Sequence, residues 1–226
     1  MLCVECGFPV SSLYTIYSSD NIRATTCSNC LKFADKYTEY DPVLVALDIA
    51  LLRPQAIRHV VFNGQSSNAA LCARIYFIVL LFDVYIRWAL LEKAQPPEFA
   101  EWFARTSTFT QYMSFLGVCL TDTLIVYLTT FVLAGLTVPC VNFHALFTTI
   151  TLSSMSKLLP LLTLIWEYKN VKATQVNWQI IALVTTEFLK VTLGCNYLHS
   201  VAIVGASLFT SWFVGEKLLW RWILSH

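Results

Sequence analysis

Two C-x-x-C motifs stand near the start of the chain and constrain its fold more than any other feature. They are Cys3/Cys6 and Cys27/Cys30, with twenty residues between the inner cysteines. Four thiolates at this spacing suit one tetrahedral Zn²⁺ ion, held as a structural cofactor. Because all four ligands come from the protein, no position is left for a catalytic water. The alternative is a pair of disulfides in a secreted domain.

The residues between the two motifs predict a small β-hairpin. Tyr14 to Tyr17 resembles a strand, residues 18–21 a turn, and Ile22 to Thr26 a returning strand. So small a hairpin buries little apolar surface, so we expect metal binding to supply most of its folding free energy. We predict a zinc-ribbon-like domain over residues 1–41. We expect no signal peptide ahead of Cys3 and reduced thiols, which favours the cytosol.

The rest of the composition is that of a membrane protein. Hydrophobic residues make up 57% of the 226 residues, charged residues only 13%, and the mean hydropathy is +0.61. The net charge is +1, so no overall basic field favours a nucleic-acid partner.

Residues 42–109 predict amphipathic or interfacial helices and a linker. Asp41 is a plausible N-cap before Pro42, and the apolar run that follows is shorter than the roughly 20 residues of a membrane span. Pro54 interrupts the pattern, so 42–63 is predicted as one kinked or two short helices in the membrane interface. Packing of this segment on the zinc domain is the alternative.

Residues 69–91 carry three charges within an apolar segment: Arg74, Asp83 and Arg87. Asp83 and Arg87 are four residues apart, so they can pair on one helical face. We predict a second interfacial or re-entrant helix, with a span packed wholly inside a bundle as the alternative. The linker that follows can form a short amphipathic helix through Phe99, Trp102 and Phe103.

Residues 110–226 predict an all-α, multi-pass transmembrane bundle of about four spans, or five if 69–91 also crosses. The four strongest apolar segments are 110–134, 142–166, 176–194 and 198–215. Basic residues occur in the connections at Lys93, Arg105, Lys169 and Lys172 and in the tail at Lys217 and Arg221. If 69–91 does not cross, these residues and the zinc domain share one side, which should be cytosolic.

Four charged residues lie inside the predicted spans: Asp122, Lys157, Glu187 and Lys190. Glu187 and Lys190 can pair within one helix, and Asp122 can pair with Lys157 across neighbouring spans. Such residues either hold helices together or line a polar path for lipid headgroups. His144 and His199 have no acid partner at a recognisable spacing, and no nucleophile or phosphate-loop motif occurs, so we predict that the protein is not an enzyme.

Several stretches resemble the Arv family. The two C-x-x-C motifs are followed by Asp35-Lys36-Tyr37-Thr38-Glu39-Tyr40-Asp41-Pro42-Val43 and by Gln55-Ala56-Ile57-Arg58-His59-Val60-Val61-Phe62-Asn63. This resemblance is close over 3–63. It is looser at Ser156-Lys157-Leu158-Leu159, Ile165-Trp166-Glu167 and Lys190-Val191-Thr192-Leu193.

The resemblance implies a multi-pass endoplasmic-reticulum protein needed for sterol and sphingolipid homeostasis and for an early step in glycosylphosphatidylinositol anchor assembly. It does not decide between a lipid transporter, with sterols, sphingolipids or glycosylphosphatidylinositol intermediates as ligands, and a scaffold for a membrane glycosyltransferase complex. Under the scaffold hypothesis, the predicted docking surface is Tyr37, Tyr40, Asp41, Arg58, His59 and Asn63.

Overall fold

A computed structural model of the chain describes residues 1–18, 21–64, 69–94, 97–138, 142–165 and 172–215. Within these ranges a small cysteine-rich domain with one hairpin sits at one end of a helical bundle. Several positions named above lie outside the described residues, among them Lys169, Lys217 and Arg221.

The predicted hairpin is confirmed. Strands β1 (Tyr14–Ser18) and β2 (Asn21–Ala24) pair antiparallel, with Tyr14 opposite Ala24. Two isolated bridges, Leu2 with Pro9 and Thr26 with Phe33, close a loop around each C-x-x-C motif. The backbone of the cysteine domain is therefore fixed mainly by short turns.

The predicted pair of short helices is also confirmed. After a 3₁₀ turn over Lys36–Glu39 come α1 (Pro42–Ala50) and α2 (Pro54–Arg58), and a π-helical turn, His59–Asn63, continues α2. The Asp41 side chain accepts a hydrogen bond of 2.7 Å from the Val43 N–H, and Pro42 is the first helical residue. A proline therefore begins each helix.

Segment 54–63 packs on the cysteine domain with one face and on the helical bundle with another. Ala56 packs with Val4 and Tyr37 of the cysteine domain. Ile57 and Val61 pack with Ala145 and Phe188 of the bundle. The alternative that this segment packs on the cysteine domain is thus correct for one of its faces.

Segment 69–91 belongs to one uninterrupted helix, and its predicted placement in the membrane interface stays a prediction. Helix α3 (Ala69–Ala94) is a single helix of 26 residues, and ~39 Å of helix is enough to cross a bilayer. It runs antiparallel to α5 (Thr108–Thr137), with ring contacts from Tyr76 to Tyr127 and from Trp88 to Tyr112. Asp83 and Arg87 of α3 face its neighbours, whereas Arg74 is exposed near the start of the helix on its outward face. The other exposed residues of that face are large and apolar: Leu71, Phe77, Ile78, Leu81, Phe82 and Tyr85.

The helix between α3 and α5 is the amphipathic one that the sequence predicts. Helix α4 spans Pro97–Arg105. Phe99 is buried, and Trp102 and Phe103 pack against Phe115 and its neighbours. Helix α4 thus covers the end of the α3–α5 pair.

The remaining helices are α6 (Phe143–Ser153), α7 (Pro160–Ile165), α8 (Lys172–Leu193) and α9 (Tyr197–Trp212). A 3₁₀ segment, Ser154–Leu158, joins α6 to α7. In the described part of the chain, three helices are long and apolar enough to cross a membrane: Thr108–Thr137, Phe143–Leu162 and Tyr197–Gly215. The fourth predicted span, α8, is a helix of 22 residues but is not among these three.

The cysteine domain lies at the bundle end where α3 and α6 begin and α8 finishes. Ala145 and Phe188 contact segment 54–63 there, and the Cys72 thiol lies 3.8 Å from the Thr148 hydroxyl. Because α3 runs along α5, the linker bearing Lys93 and Arg105 lies at the opposite end. The prediction that this linker and the cysteine domain share one side of the membrane assumed that 69–91 does not cross, and it stays a prediction.

Candidate functional site

The four cysteines of the paired motifs converge on one point. Their sulfurs all lie within 4.8 Å of one another, and Cys3 Sγ to Cys30 Sγ and Cys6 Sγ to Cys27 Sγ are both 3.7 Å. Sulfurs in a tetrahedron around Zn²⁺ at ~2.3 Å are separated by about 3.8 Å. All four are free thiols rather than disulfides. These four residues could hold a metal ion, and the distances between their sulfurs fit the predicted Zn²⁺.

The thiols of the first motif differ in their surroundings. Burial raises the pKa of Cys3 to about 12, whereas a hydrogen bond from the Phe8 N–H lowers the pKa of Cys6 to about 6. Cys6 therefore loses its proton more readily than Cys3, and a metal bound by all four cysteines would displace the protons that remain.

A buried carboxylate joins the cysteine domain to segment 54–63. The Asp35 side chain is fully buried. Its oxygens lie 2.7 Å from His59 Nδ1, 2.8 Å from the Asn63 amide nitrogen and 3.0 Å from the Tyr37 N–H. Three partners on one carboxylate offset the cost of removing it from water.

Two residues of segment 54–63 also bind the backbone of the first cysteine motif. Arg58 Nη1 donates to the carbonyls of Val4 at 2.8 Å and Glu5 at 3.0 Å. The Asn63 side chain exchanges hydrogen bonds of 2.8 and 2.7 Å with the Leu2 N–H and carbonyl. Arg58, His59 and Asn63 thus fasten the cysteine domain to the bundle.

For the predicted docking residues the outcomes differ. Tyr37 is 2% exposed and donates to Asp48 Oδ2 at 2.8 Å, so a docking role for its side chain is wrong. Burial and this hydrogen bond raise the Tyr37 pKa, which keeps the phenol protonated. Tyr40 and Asp41 are exposed, and docking through them stays a prediction.

A second cluster lies in the middle of the bundle. We call Asp83, Arg87, Asp122 and Lys157 the ion quartet. Arg87 contacts Asp83 Oδ1 at 3.1 Å through Nε and Asp122 Oδ2 at 2.6 Å through Nη1, and Lys157 Nζ lies 3.8 Å from Asp83 Oδ2. The formal charges sum to zero, as burial in an apolar medium requires. The predicted direct pair of Asp122 with Lys157 is not formed; Arg87 and Asp83 stand between them.

Local structure brings the members of the ion quartet together. Asp83 and Arg87 share one face of α3 at i,i+4, and Asp122 is near the middle of α5. Lys157 lies in the 3₁₀ segment that interrupts the helix between α6 and Pro160. Arg87 was not predicted from the sequence as the partner of Asp122. The signal for its role was the i,i+4 spacing of Asp83 and Arg87.

The end of α9 packs against Asp122. Among the described residues Asp122 Oδ1 is buried without a hydrogen-bond partner. A Cβ atom at Gly215 would collide with this oxygen. The Ser211 hydroxyl lies 3.5 Å from the Asp122 carbonyl. Only glycine allows α9 to approach the carboxylate this closely.

The other two intramembrane charges form a separate pair. Lys190 Nζ lies 3.7 Å from Glu187 Oε2 and 4.9 Å from the centre of the Tyr197 ring. The predicted Glu187–Lys190 pair is therefore confirmed. It lies near the cysteine-domain end of α8, so the four predicted charges do not line one continuous site in the structure.

A family model described as the Arv1-like family matches residues 2–188, which include the cysteine cluster, the segment 54–63 and the whole ion quartet. The chain belongs to the Arv1-like family. It is 36% identical to Protein arv1 of Schizosaccharomyces pombe over 80% of this chain and 71% of that protein. It is 26% identical to Protein ARV1 of Saccharomyces cerevisiae, covering 97% and 90% of the two chains. For Protein ARV1 of Homo sapiens the identity is 27%, with coverage of 92% and 79%. No solved structure matches the chain.

Membership of the Arv1-like family confirms the resemblance drawn from 3–63 and fits a membrane protein of lipid homeostasis. The match ends at residue 188, so it includes Asp83, Arg87, Asp122 and Lys157 but not Lys190.

Proposed function

We propose that this Arv1-like protein mediates sterol and lipid transport and homeostasis in the endoplasmic-reticulum membrane. The observation that carries the proposal is the partial exposure of the ion quartet. The Arg87 and Lys157 side chains remain 26% and 20% exposed at mid-depth in the bundle. A charge cluster that served packing alone would be most stable when closed off completely, because lipid-exposed charge is costly. Exposed donors at this depth offer hydrogen bonds to a polar headgroup.

The interrupted helix supports the same proposal. Ser154–Leu158 breaks the helix that begins at Phe143, and Lys157 lies in the break. Membrane transporters commonly bind substrates where a helix is discontinuous near mid-membrane. We propose that the headgroups of sterols, sphingolipids or glycosylphosphatidylinositol intermediates pass the ion quartet. The chain's own role is to bind and guide these headgroups, so no catalytic step is proposed.

The cysteine cluster serves as a structural zinc site in this proposal. The 3.7 Å sulfur separations and the four-thiolate ligand set both favour Zn²⁺. Bound zinc would fix the two cysteine motifs, and Arg58 and Asn63 would hold the α1–α2 region in place.

We further propose that the cysteine domain is cytosolic and that α3, α5, the interrupted helix, α8 and α9 all cross the membrane. Zinc-binding thiols persist in a reducing compartment. Lys93, Arg105 and Lys172 lie at the far end and favour the reverse orientation by the positive-inside rule. The proposal gives the thiols more weight than the basic residues, because the same four cysteines cannot hold zinc once they are oxidised.

Labelling of introduced cysteines tests this orientation. In intact microsomes, a membrane-impermeant maleimide should react with Asp41→Cys but with Glu101→Cys only after permeabilisation. Both positions are exposed, at opposite ends of the bundle. The modified peptides are quantified separately, so native cysteines do not interfere. The reverse labelling pattern would place the zinc domain in the lumen and contradict the proposal.

Lipid transfer by purified, reconstituted protein tests the proposed activity. Lys157→Gln should lower the transfer of fluorescent sterol or phospholipid between vesicles by at least ~10-fold, because one lost charge-assisted contact is worth ~1.5–3 kcal/mol. Lys190→Gln, which removes a lysine outside the ion quartet, is the matched control and should transfer lipid normally. Lys157→Arg should retain activity, and thermal unfolding in detergent should show that each variant is folded. Wild-type protein that moves no lipid would end the proposal.

A scaffold for an early glycosylphosphatidylinositol biosynthesis complex is the second candidate. It is favoured by the pairing of every charge in the ion quartet within 3.8 Å, as pure packing requires. Under this alternative, Lys157→Gln leaves function unchanged, and a membrane glycosyltransferase co-purifies in mild detergent through Tyr40 and Asp41.

A further inference from the structure

The two cysteine motifs have the same turn but differ at one position. In the first, the Gly7 N–H bonds the Cys3 carbonyl and the Cys3 N–H bonds the Phe8 carbonyl. In the second, the Leu31 N–H bonds the Cys27 carbonyl and the Cys27 N–H bonds the Lys32 carbonyl. Leu31 therefore occupies the position that glycine holds in the first motif.

That position requires a left-handed backbone. Gly7 has φ +75°, and Leu31 has φ +59°. Glycine adopts this conformation freely, whereas a leucine is strained there by the contact of its Cβ with the backbone. Strain of this kind persists where a residue has some other use.

Packing of the Leu31 side chain inside the protein is not that use. Leu31 is 79% exposed and Phe33, which closes the same loop, is 60% exposed. Two large apolar side chains thus project into solvent from one turn. The hydrogen bonds of the turn hold the Leu31 backbone in this conformation, and its side chain is available to a partner outside the chain.

The surroundings of this turn are mainly basic. Leu31 and Phe33 line a groove with Lys32, Lys36, Glu5 and Thr26. Glu5 lies 3.9 Å from the Lys32 ammonium and 3.5 Å from that of Lys36, so one carboxylate faces two cations. Exposed apolar side chains beside lysines are the combination that binds an anionic bilayer surface.

We propose that Leu31, Lys32 and Phe33, here called the Leu31–Phe33 loop, insert into the anionic leaflet beside the bundle. The bilayer is the occupant that the fold favours. The chain leads from Lys36–Glu39 directly into α1, whose outward face is apolar at Val43, Leu44, Leu47 and Leu51. The cysteine domain therefore has a second membrane contact beyond α1. This contact does not depend on lipid transport.

Photo-crosslinking in nanodiscs tests the proposal with the full-length protein. Phe33 is replaced by p-benzoylphenylalanine, and adducts are identified by mass spectrometry. We expect lipid adducts at position 33 that increase when phosphatidylserine is added to phosphatidylcholine. The control position, Tyr14, is an exposed aromatic residue on β1 and should give few. Protein adducts from co-expressed partners, no adducts, or equal lipid adducts at both positions would each overturn the proposal.

Leu31→Gly separates membrane contact from folding. Glycine relieves the strained backbone, so the melting temperature of the cysteine domain should be unchanged or higher. Removing the leucine side chain should lower lipid crosslinking at position 33 by about 10-fold, from the usual free energy of burying one leucine. Lys32→Glu should abolish the dependence on phosphatidylserine while the domain remains folded. Crosslinking unchanged by Leu31→Gly would show that the Leu31–Phe33 loop does not enter the membrane.

Discussion

Replacing Arg87 by leucine should destabilise the bundle by about 3–5 kcal/mol. Arg87 contacts both Asp83 and Asp122, at 3.1 and 2.6 Å. Without it, no other cation of the described residues pairs with Asp122, and Asp83 keeps the 3.8 Å contact with Lys157. A buried carboxylate without a partner costs far more than a lost surface contact. The measurement is thermal unfolding of purified protein in detergent.

Arg105→Leu is the matched control for this experiment. Arg105 also pairs with an acid four residues earlier, Glu101, at 3.1 Å, but both side chains are 80% exposed. An exposed pair contributes at most ~1 kcal/mol, so this variant should unfold near the wild-type temperature. The triple variant Arg87→Met/Asp83→Asn/Asp122→Asn should regain most of the stability lost by Arg87→Leu, because no uncompensated carboxylate remains. If Arg87→Leu melts like the wild type, the ion quartet does not hold the bundle together.

The ion quartet also shows why counting charges along the sequence is a poor guide to whether α3 crosses the membrane. Counted along the chain, Arg74, Asp83 and Arg87 make 69–91 too polar for a span. In the structure, Asp83 and Arg87 turn inward and are neutralised by partners from α5 and from the interrupted helix. Hydropathy counts charges without their partners, and partners distant in sequence come together only after packing.

Features that depend on residues close together in the sequence were predicted better than contacts between residues far apart in it. The paired C-x-x-C motifs, the hairpin, the Asp41 cap and the proline-led helices depend on neighbouring residues, and each could be predicted. Asp35 could not be identified from the sequence, because its partners His59 and Asn63 are 24 and 28 residues away. Asn63 and Arg58 likewise looked like surface groups, since their partners are backbone atoms of the first cysteine motif.

Removal of the proposed zinc ion should unfold the cysteine domain and also release segment 54–63. A structural zinc site of this kind contributes ~10–16 kcal/mol, more than a small hairpin can supply from its own core. Arg58 and Asn63 bind the backbone at Val4, Glu5 and Leu2, and these bonds require the first cysteine motif to be ordered. Disorder around the metal should therefore spread along this segment to its contact with Phe188.

Hydrogen exchange of the full-length protein measures this spread. After a strong chelator, or in Cys27→Ser, we expect loss of protection over 1–37 and 54–63 and little change in α5, whose contacts with α3 and α9 do not involve the cysteine domain. Cys195→Ser is the control, because Cys195 lies outside the metal cluster and hydrogen-bonds Ser200. Elemental analysis of the untreated protein should find one zinc per chain. Protection that is unchanged over 54–63 while 1–37 unfolds would show that the Asp35, Arg58 and Asn63 contacts do not couple the metal site to the membrane bundle.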